Sequence, residues 1–118
     1  MGMTQVNLKV KNPSNPAKVF EGEFLVDSGA TYTVVPETTL RKLGIKPQRE
    51  ETFSLADGRL IKRQVGSALY EFEGTEAAAP ILFGKKGDNL LLGAFTLEAL
   101  GLTLDPLNRK LYKAILRM

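Results

Sequence analysis

One acidic residue stands at the end of an apolar run, and this arrangement constrains the fold more than any other feature of the chain. Residues 24–26 (Phe-Leu-Val) are typical of a buried strand, and Asp27 follows them directly. Gly29 then allows a sharp turn, and the pair Val34-Val35 begins a second apolar segment. The pattern predicts that Asp27 lies where a strand gives way to a loop, at the floor of a cleft.

The same residues have a simpler interpretation. Asp-Ser-Gly is a common composition for surface turns, because Asp and Ser bond to nearby backbone groups and Gly accepts a positive φ. The flanks of residues 27–29 favour a functional site instead, since a plain surface turn needs neither three large apolar residues before it nor a Val-Val pair after it. In a functional loop, Ser28 supplies a short hydroxyl and Gly29 permits close approach of backbone or substrate.

A second apolar segment downstream has a similar order. Residues 90–92, three leucines, run into Gly93, and a short helix that ends at Gly101 is predicted after them. Another short helix is predicted to begin at Pro36 and to end at Gly44. Its first turn is acidic and its last turn is basic, as the helix dipole prefers.

The rest of the chain indicates many short strands separated by turns. The strongest turn signal is Asp57-Gly58, which is typical of a two-residue β-hairpin. Short strands with regular turns and two short helices are typical of a small closed β-barrel. Residues 1–118 are expected to form one domain, because no linker or low-complexity tract divides them. The predicted strands cover residues 6–10, 18–27, 50–55, 60–65, 66–72, 78–83, 102–104 and 111–116.

Composition excludes several kinds of chemistry. The chain has 118 residues, of which 43% are hydrophobic and 25% charged, and it contains neither His nor Cys. Serine–histidine and cysteine–histidine catalysis, zinc sites built on those ligands, and disulfides are therefore excluded. An enzyme of this composition works with carboxylates, lysines, hydroxyls or backbone groups, and we expect no cofactor and no metal.

The net charge of +3 does not by itself predict a nucleic-acid site. The basic residues are dispersed, acidic residues interrupt them, and no aromatic residues are interleaved with them as in single-strand binding proteins. No apolar run approaches the length of a membrane span, and no cationic segment followed by an apolar stretch begins the chain. We expect neither nucleic acid nor membrane as a partner, and a cytoplasmic location.

Three other Asp residues are interpreted as turn or loop residues. Asp57 precedes Gly58 in the predicted hairpin, Asp105 precedes a proline, and Asp88 is predicted to lie in a loop. Asp27 is then the candidate catalytic residue. Asp57 is expected to take no part in the chemistry.

Three motifs, in this order, resemble the retropepsin-like aspartic proteases, the single-lobed group that includes the retroviral proteases. Residues 25–30 resemble the catalytic loop, and residues 53–61 resemble the flap hairpin. Leu91-Leu92-Gly93 and the helix after it resemble the apolar-apolar-Gly element that lies beside the catalytic loop. The roles that the resemblance implies are catalysis by Asp27, loop support by Ser28, Gly29, Ala30 and Thr31, substrate covering by Ala56, Asp57, Gly58 and Arg59, and a structural role near the site for Leu92 and Gly93.

The resemblance also implies a homodimer. Hydrolysis by an aspartic protease needs two carboxylates that share one proton, and each chain supplies one, so Asp27 would meet its counterpart on a two-fold axis. The substrate would be an extended peptide bound as an added strand. The alternative is a dimeric β-domain of the same fold that binds extended peptides or holds partner proteins together without catalysis.

Two departures from the retroviral pattern concern the dimer. Retroviral enzymes usually carry an acidic residue after the Gly-Ala of the catalytic loop and an Arg after the second Gly, and these residues pair. Here the two positions are Thr31 and Ala94. Ser28 also replaces the commoner Thr and removes one methyl contact. These departures predict a weaker dimer, and a closer relation to the cellular and prokaryotic members than to the retroviral ones.

Overall fold

The computed structural model describes residues 3–118, which form nine β-strands and two short helices. This confirms the predicted mainly β fold class. The helices are α1 (Glu37–Lys42) and α2 (Ala94–Leu100). The strands are β1 (Gln5–Asn12), β2 (Asn15–Val26), β3 (Thr33–Pro36), β4 (Arg49–Ser54), β5 (Leu60–Phe72), β6 (Thr75–Gly84), β7 (Leu91–Leu92), β8 (Leu102–Asp105) and β9 (Lys110–Lys113).

Seven of these strands join in one sheet, in the order β1-β2-β7-β3-β6-β5-β4. β1 also pairs with β5, so that six strands close into a ring and β4 remains at the edge. β7 lies parallel to β2, and β6 lies parallel to β3, whereas the other neighbours are antiparallel. β8 and β9 form a separate two-stranded sheet. The ring agrees with the closed sheet that the turn pattern predicts.

Two clusters of buried side chains make the core. The larger one takes alternate residues of the strands, such as Leu8 and Val10 of β1. Complete burial of a side chain of this size stabilises the fold by about 1.5–3 kcal/mol. The smaller cluster lies next to the loop that follows β2, and its buried members are Tyr32, Val34, Val65 and Leu82.

The prediction of two separate strands over residues 60–72 is wrong, because β5 runs through Gly66 without a break. A Cβ on Gly66 would lie 2.8 Å from the carbonyl oxygen of Lys46. This glycine therefore permits close approach of another backbone segment and does not mark a turn. β2 also begins at Asn15, earlier than predicted, and β9 ends at Lys113, earlier than predicted.

The turn predicted between residues 55 and 60 forms, but it is longer than the two-residue turn that Asp57-Gly58 favours. Ser54 and Leu60 are the last paired residues of β4 and β5, so residues 55–59 form the loop. The N–H of Leu55 donates to the carbonyl of Arg59 at 2.8 Å and closes this longer loop. Local turn chemistry predicted the bend, but strand pairing decided its length.

Both predicted helices form and end at the expected glycines. Gly44 has φ 80° and Gly101 has φ 69°, the left-handed conformation in which glycine ends a helix. Pro36 caps α1 and is the last residue of β3, whereas it was predicted as the first helical residue. Within residues 3–118, no helix has the length and apolar character needed to cross a membrane.

Candidate active site

The backbone on either side of Asp27 is held by neighbouring segments. Asp27 is the first residue after β2, and the parallel pairing with β7 sets Val26 beside Leu92. The N–H of Asp27 donates to the carbonyl of Leu92 at 3.0 Å, and the N–H of Val26 donates to the carbonyl of Thr4 at 2.8 Å. These bonds fix the point at which the chain leaves the sheet.

The loop after β2 also anchors the Asp27 carboxylate. The N–H of Gly29 donates to Asp27 Oδ1 at 3.0 Å, and the N–H of Ala30 donates to the Asp27 carbonyl at 3.1 Å. A Cβ on Gly29 would lie 3.2 Å from Asp27 Oδ1, so the glycine leaves room for this bond. Within the described residues Oδ2 accepts no hydrogen bond, so one carboxylate oxygen is held and the other is available.

The Asp27 side chain is exposed, as are those of Ser28 and Thr31. The prediction that Asp27 lies at the floor of a cleft is therefore wrong for a single chain. Burial ends at Val26, and the loop that follows opens to the surface. Asp27 lies at the margin of a groove that the next residues of the loop line.

Gly93 lies directly behind this loop. A Cβ on Gly93 would lie 2.5 Å from the carbonyl carbon and oxygen of Tyr32, so the position requires glycine. The N–H of Gly93 donates to Thr33 Oγ1 at 3.0 Å, and that hydroxyl is 2.6 Å from Thr96 Oγ1. Both threonines are completely buried, and together they join β3 to α2. The sequence analysis did not predict this role for Thr33 and Thr96. The signal that could have indicated it is a polar residue within an apolar run.

The start of α2 supports the loop from the same side. The N–H of Ala94 donates to the carbonyl of Ala30 at 2.8 Å, and the N–H of Phe95 donates to the carbonyl of Thr31 at 3.1 Å. The first turn of a helix has N–H groups without partners inside the helix, and here two of them bind the loop. The structure thus brings together the predicted residues of the loop and those around Gly93.

The hairpin of β4 and the first part of β5 stands on the other side of the groove. At its tip Gly58 has φ 87°, a conformation that favours glycine. Asp57 accepts hydrogen bonds from the Arg59 N–H at 3.0 Å and from Arg59 Nε at 2.7 Å. These bonds hold the pKa of Asp57 below its usual value of 3.8. Residues 56–59 are exposed and do not line the groove, so the tip projects beyond it.

A groove of about 420 Å³ lies between the loop and the base of the hairpin. The rings of Tyr32 and Phe53 meet edge to face across it, with centroids 5.7 Å apart. The Tyr32 hydroxyl accepts a hydrogen bond from Arg49 Nη2 at 3.1 Å. The other apolar residues that line it are Ala30, Val34, Leu55, Ile61, Leu82 and Leu91.

Most of the residues that line the groove were not proposed as site residues from the sequence, among them Tyr32, Arg63 and Asp88. Their positions depend on which strands become neighbours, and no local motif marks them. A second groove of about 470 Å³, lined by residues such as Asn12, Gly44 and Ser67, contains no carboxylate. In residues 3–118, no three His, Cys, Asp or Glu side chains are grouped so that they could hold a metal ion.

The closed ring, the Asp-Ser-Gly loop and the neighbouring hairpin define the class of this protein as a single-lobed domain of the acid-protease type. The chain is similar to the protease of simian foamy virus (mac), known from a solution structure, with 22% sequence identity and a TM-score of 0.52. The similarity covers 79% of this chain and 92% of the viral one, and at this level of identity it shows the fold.

A family model gives the narrower assignment. The model described as "gag-polyprotein putative aspartyl protease" matches residues 18–99. This range includes the Asp27 loop, the hairpin and Gly93. The chain belongs to the retropepsin-like aspartic proteases. No curated protein sequence matches it significantly.

Proposed function

We propose that this protein is an aspartic endopeptidase that acts as a homodimer, with Asp27 of each subunit as the catalytic dyad. The observation that carries the proposal is the position of the Asp27 side chain. It is exposed at a strand end, its Oδ1 is anchored by Gly29, and it lies at the margin of an apolar groove. Membership of an aspartic protease family supports the same activity.

The chemistry requires two carboxylates that share one proton. One carboxylate accepts a proton from the attacking water, while the protonated one donates its proton to the carbonyl oxygen of the peptide bond. When the tetrahedral intermediate breaks down, the carboxyl group that took the proton from water donates it to the leaving amine, and the other carboxylate takes back a hydroxyl proton. Two carboxyl groups this close cannot both ionise, so they titrate as a pair. An exposed Asp27 is accessible to its counterpart, whereas a buried one would not reach it.

The dimer follows from the number of such groups. We propose that residues 1–118 form one domain that supplies half of the site, because each chain has one Asp in this setting. A two-fold interface brings the two copies of a residue together when that residue lies near its axis. Ser28 and Thr31, which are exposed beside Asp27, would then lie at or near the contact.

The proposed substrate is an extended peptide segment in the groove. The apolar floor, which includes Val34, Leu82 and Leu91, suits the alternate side chains of an added strand. The hairpin tip is exposed and projects beyond the groove, as expected of a segment that folds over a bound peptide. We propose this covering role for Ala56, Asp57, Gly58 and Arg59.

Asp27→Asn tests the proposal. The Asn side-chain oxygen can still accept the Gly29 N–H, so the fold should be retained, but the amide cannot serve as a general base. Cleavage of a mixed peptide library should fall on the order of 10⁴-fold. The matched control is Asp105→Asn at the end of β8, where the side chain accepts hydrogen bonds from the turn to β9; this variant should cleave at the wild-type rate.

An Asp27→Asn protein that still cleaves at the wild-type rate would rule out the catalytic assignment. A wild-type protein that binds extended peptides and cleaves none would replace the proposal with the non-catalytic dimeric β-domain. Circular dichroism of the purified variants confirms that activity is compared between folded proteins.

A further inference from the structure

Arg63 and Asp88 form an ion pair in the wall of the groove. Arg63 lies on β5, in the returning strand of the hairpin, and Asp88 lies between β6 and β7. Arg63 Nε donates to Asp88 Oδ2 at 2.9 Å, and Nη2 donates to Oδ1 at 3.4 Å. The side chains are only 17% and 27% exposed, respectively. The pair therefore joins the hairpin to the body of the protein at a partly buried position.

Both partners are also held by neighbouring backbone. Asp88 Oδ2 accepts the N–H of Lys85 at 2.7 Å, and the N–H of Asp88 donates to the Lys85 carbonyl at 2.9 Å. Arg63 Nη1 donates to the carbonyl of Lys62 at 2.9 Å. Two charge-assisted hydrogen bonds from one guanidinium group to one carboxylate fix the relative orientation of the two side chains as well as the distance between them. If one partner is removed, a partly buried charge is left without its counterion.

The other ion pairs of the hairpin lie inside it. Arg59 and Asp57 pair within the tip loop, and Arg49 Nε lies 3.6 Å from Glu51 Oε1 along β4. Neither pair can hold the hairpin to the rest of the chain. Among the ion pairs of residues 3–118, Arg63–Asp88 is thus the one that ties residues 49–65 to another element.

We propose that Arg63 and Asp88 form a latch that holds the base of the hairpin against the loop at residues 85–88 and so sets the width of the groove. The ion pair of the tip, Arg59 with Asp57, is internal and does not hold the tip to the rest of the protein. Arg63 and Asp88 are positioning residues: they fix the wall that a peptide meets and take no part in proton transfer. The effect on substrate binding rests on the proposed function, whereas the effect on the hairpin does not.

A double-mutant cycle tests the latch, with Arg63→Met, Asp88→Asn and the combined variant. Arg63→Met keeps most of the apolar stem and removes both hydrogen bonds to Asp88. The readouts are hydrogen exchange of the amides paired across β4 and β5 in the free protein, and kcat and KM for one peptide. The control is Glu71→Gln, which weakens the pair with Lys11 (Nζ to Oε1, 2.6 Å) outside the groove.

Each single variant should exchange its hairpin amides about tenfold faster and raise KM about tenfold, with kcat within about twofold of wild type. The combined variant should be no worse than either single one, because both changes break one interaction. Arg63→Lys retains the charge and one hydrogen-bond donor to Asp88, so its exchange rate and KM should lie between those of wild type and Arg63→Met. It replaces Arg63→Met in the cycle if that variant does not fold. Glu71→Gln should leave both readouts unchanged.

Unchanged hairpin exchange, additive losses in the combined variant, or a fall in kcat at constant KM would each overturn the latch. The proposed function and the proposed latch can each be disproved without disproving the other. If the wild-type protein cleaves no peptide, the proposed function fails, but amide exchange still decides whether the pair holds the hairpin. If it cleaves peptides and the hairpin does not respond to loss of the pair, only the latch fails.

Discussion

The N–H of Asp27 donates a 3.0 Å hydrogen bond to the carbonyl of Leu92, which ties the candidate catalytic residue to the residue before Gly93. The N–H of Gly93 is bonded in turn to Thr33 Oγ1 at 3.0 Å. The consecutive residues Leu92 and Gly93 therefore bind the chain on both sides of the Asp27 loop, at the Asp27 N–H and at the Thr33 side chain. Because Gly93 packs directly against the Tyr32 backbone, added bulk at Gly93 should displace Leu92 and be transmitted to Asp27.

Gly93→Ala should destabilise the protein and reduce its activity. The new Cβ would lie 2.5 Å from the carbonyl group of Tyr32, so backbone has to move, and we expect a loss of about 3 kcal/mol in the free energy of unfolding. The control is Gly22→Ala, whose Cβ would lie 3.0 Å from the end of the Phe20 ring, which can turn aside at a cost of roughly 1 kcal/mol or less. Urea unfolding measures both, and equal losses would contradict the argument.

Activity should depend on protein concentration. If each subunit supplies one Asp27, the rate per subunit falls on dilution through the dissociation constant of the dimer. Because Thr31 and Ala94 replace the acid–Arg pair of the retroviral enzymes, we expect the dimer to have a larger dissociation constant than theirs. Sedimentation and activity are measured over the same dilution series. A monomer with full specific activity would rule out the shared dyad.

Gly58→Val should impair turnover more than stability. Gly58 has φ 87° with no atom near an added Cβ, so the penalty is backbone strain of about 1–3 kcal/mol at an exposed tip. The strain alters a loop that we propose to close over the substrate, so we expect kcat/KM to fall about tenfold, with a loss of Tm no larger than that of the control variant. Gly74→Val is the matched control, since Gly74 has φ 86° and equally open surroundings in the turn between β5 and β6. Equal turnover in the two variants would make residues 55–59 an ordinary structural loop.

Acid should remove the stabilisation that Asp88 supplies. Partial burial favours its protonated form, but hydrogen bonds from Arg63 and from the Lys85 N–H outweigh burial and hold the pKa of Asp88 below its usual 3.8. A carboxyl group with a lowered folded-state pKa stabilises the protein above the unfolded-state pKa, and this stabilisation is lost as the pH falls through the folded-state pKa. Asp88→Asn should therefore be less stable than wild type at neutral pH.

The difference in unfolding free energy between wild type and Asp88→Asn should shrink below about pH 4. Other carboxyl groups titrate in both proteins, so their contributions cancel in the comparison. Urea unfolding at a series of pH values from neutral to acid measures the difference. A constant difference across the series would mean that the charge of Asp88 does not stabilise the fold.

The backbone requirements of the candidate site could be predicted from local sequence, whereas its environment could not. Gly58 at the tip and Gly101 at the end of α2 were recognisable because a positive φ is a local property of the residue. The exposure of Asp27 was not, because it depends on where β7 and α2 meet the loop after β2. Arg63 and Asp88 carry no motif, and their contact exists only because the hairpin stands next to the loop between β6 and β7.

The sequence by itself determined the mainly β character, the two glycine-terminated helices and the place of Asp27 after a buried strand. These features depend on side-chain periodicity and on backbone preferences within a few residues. The tertiary structure decided that β1 closes the ring against β5, that β5 continues through Gly66, and that Thr33 meets Thr96 beneath the loop. Such pairings join segments far apart in the chain, and the packing of the whole domain, not any one segment, sets their free energy.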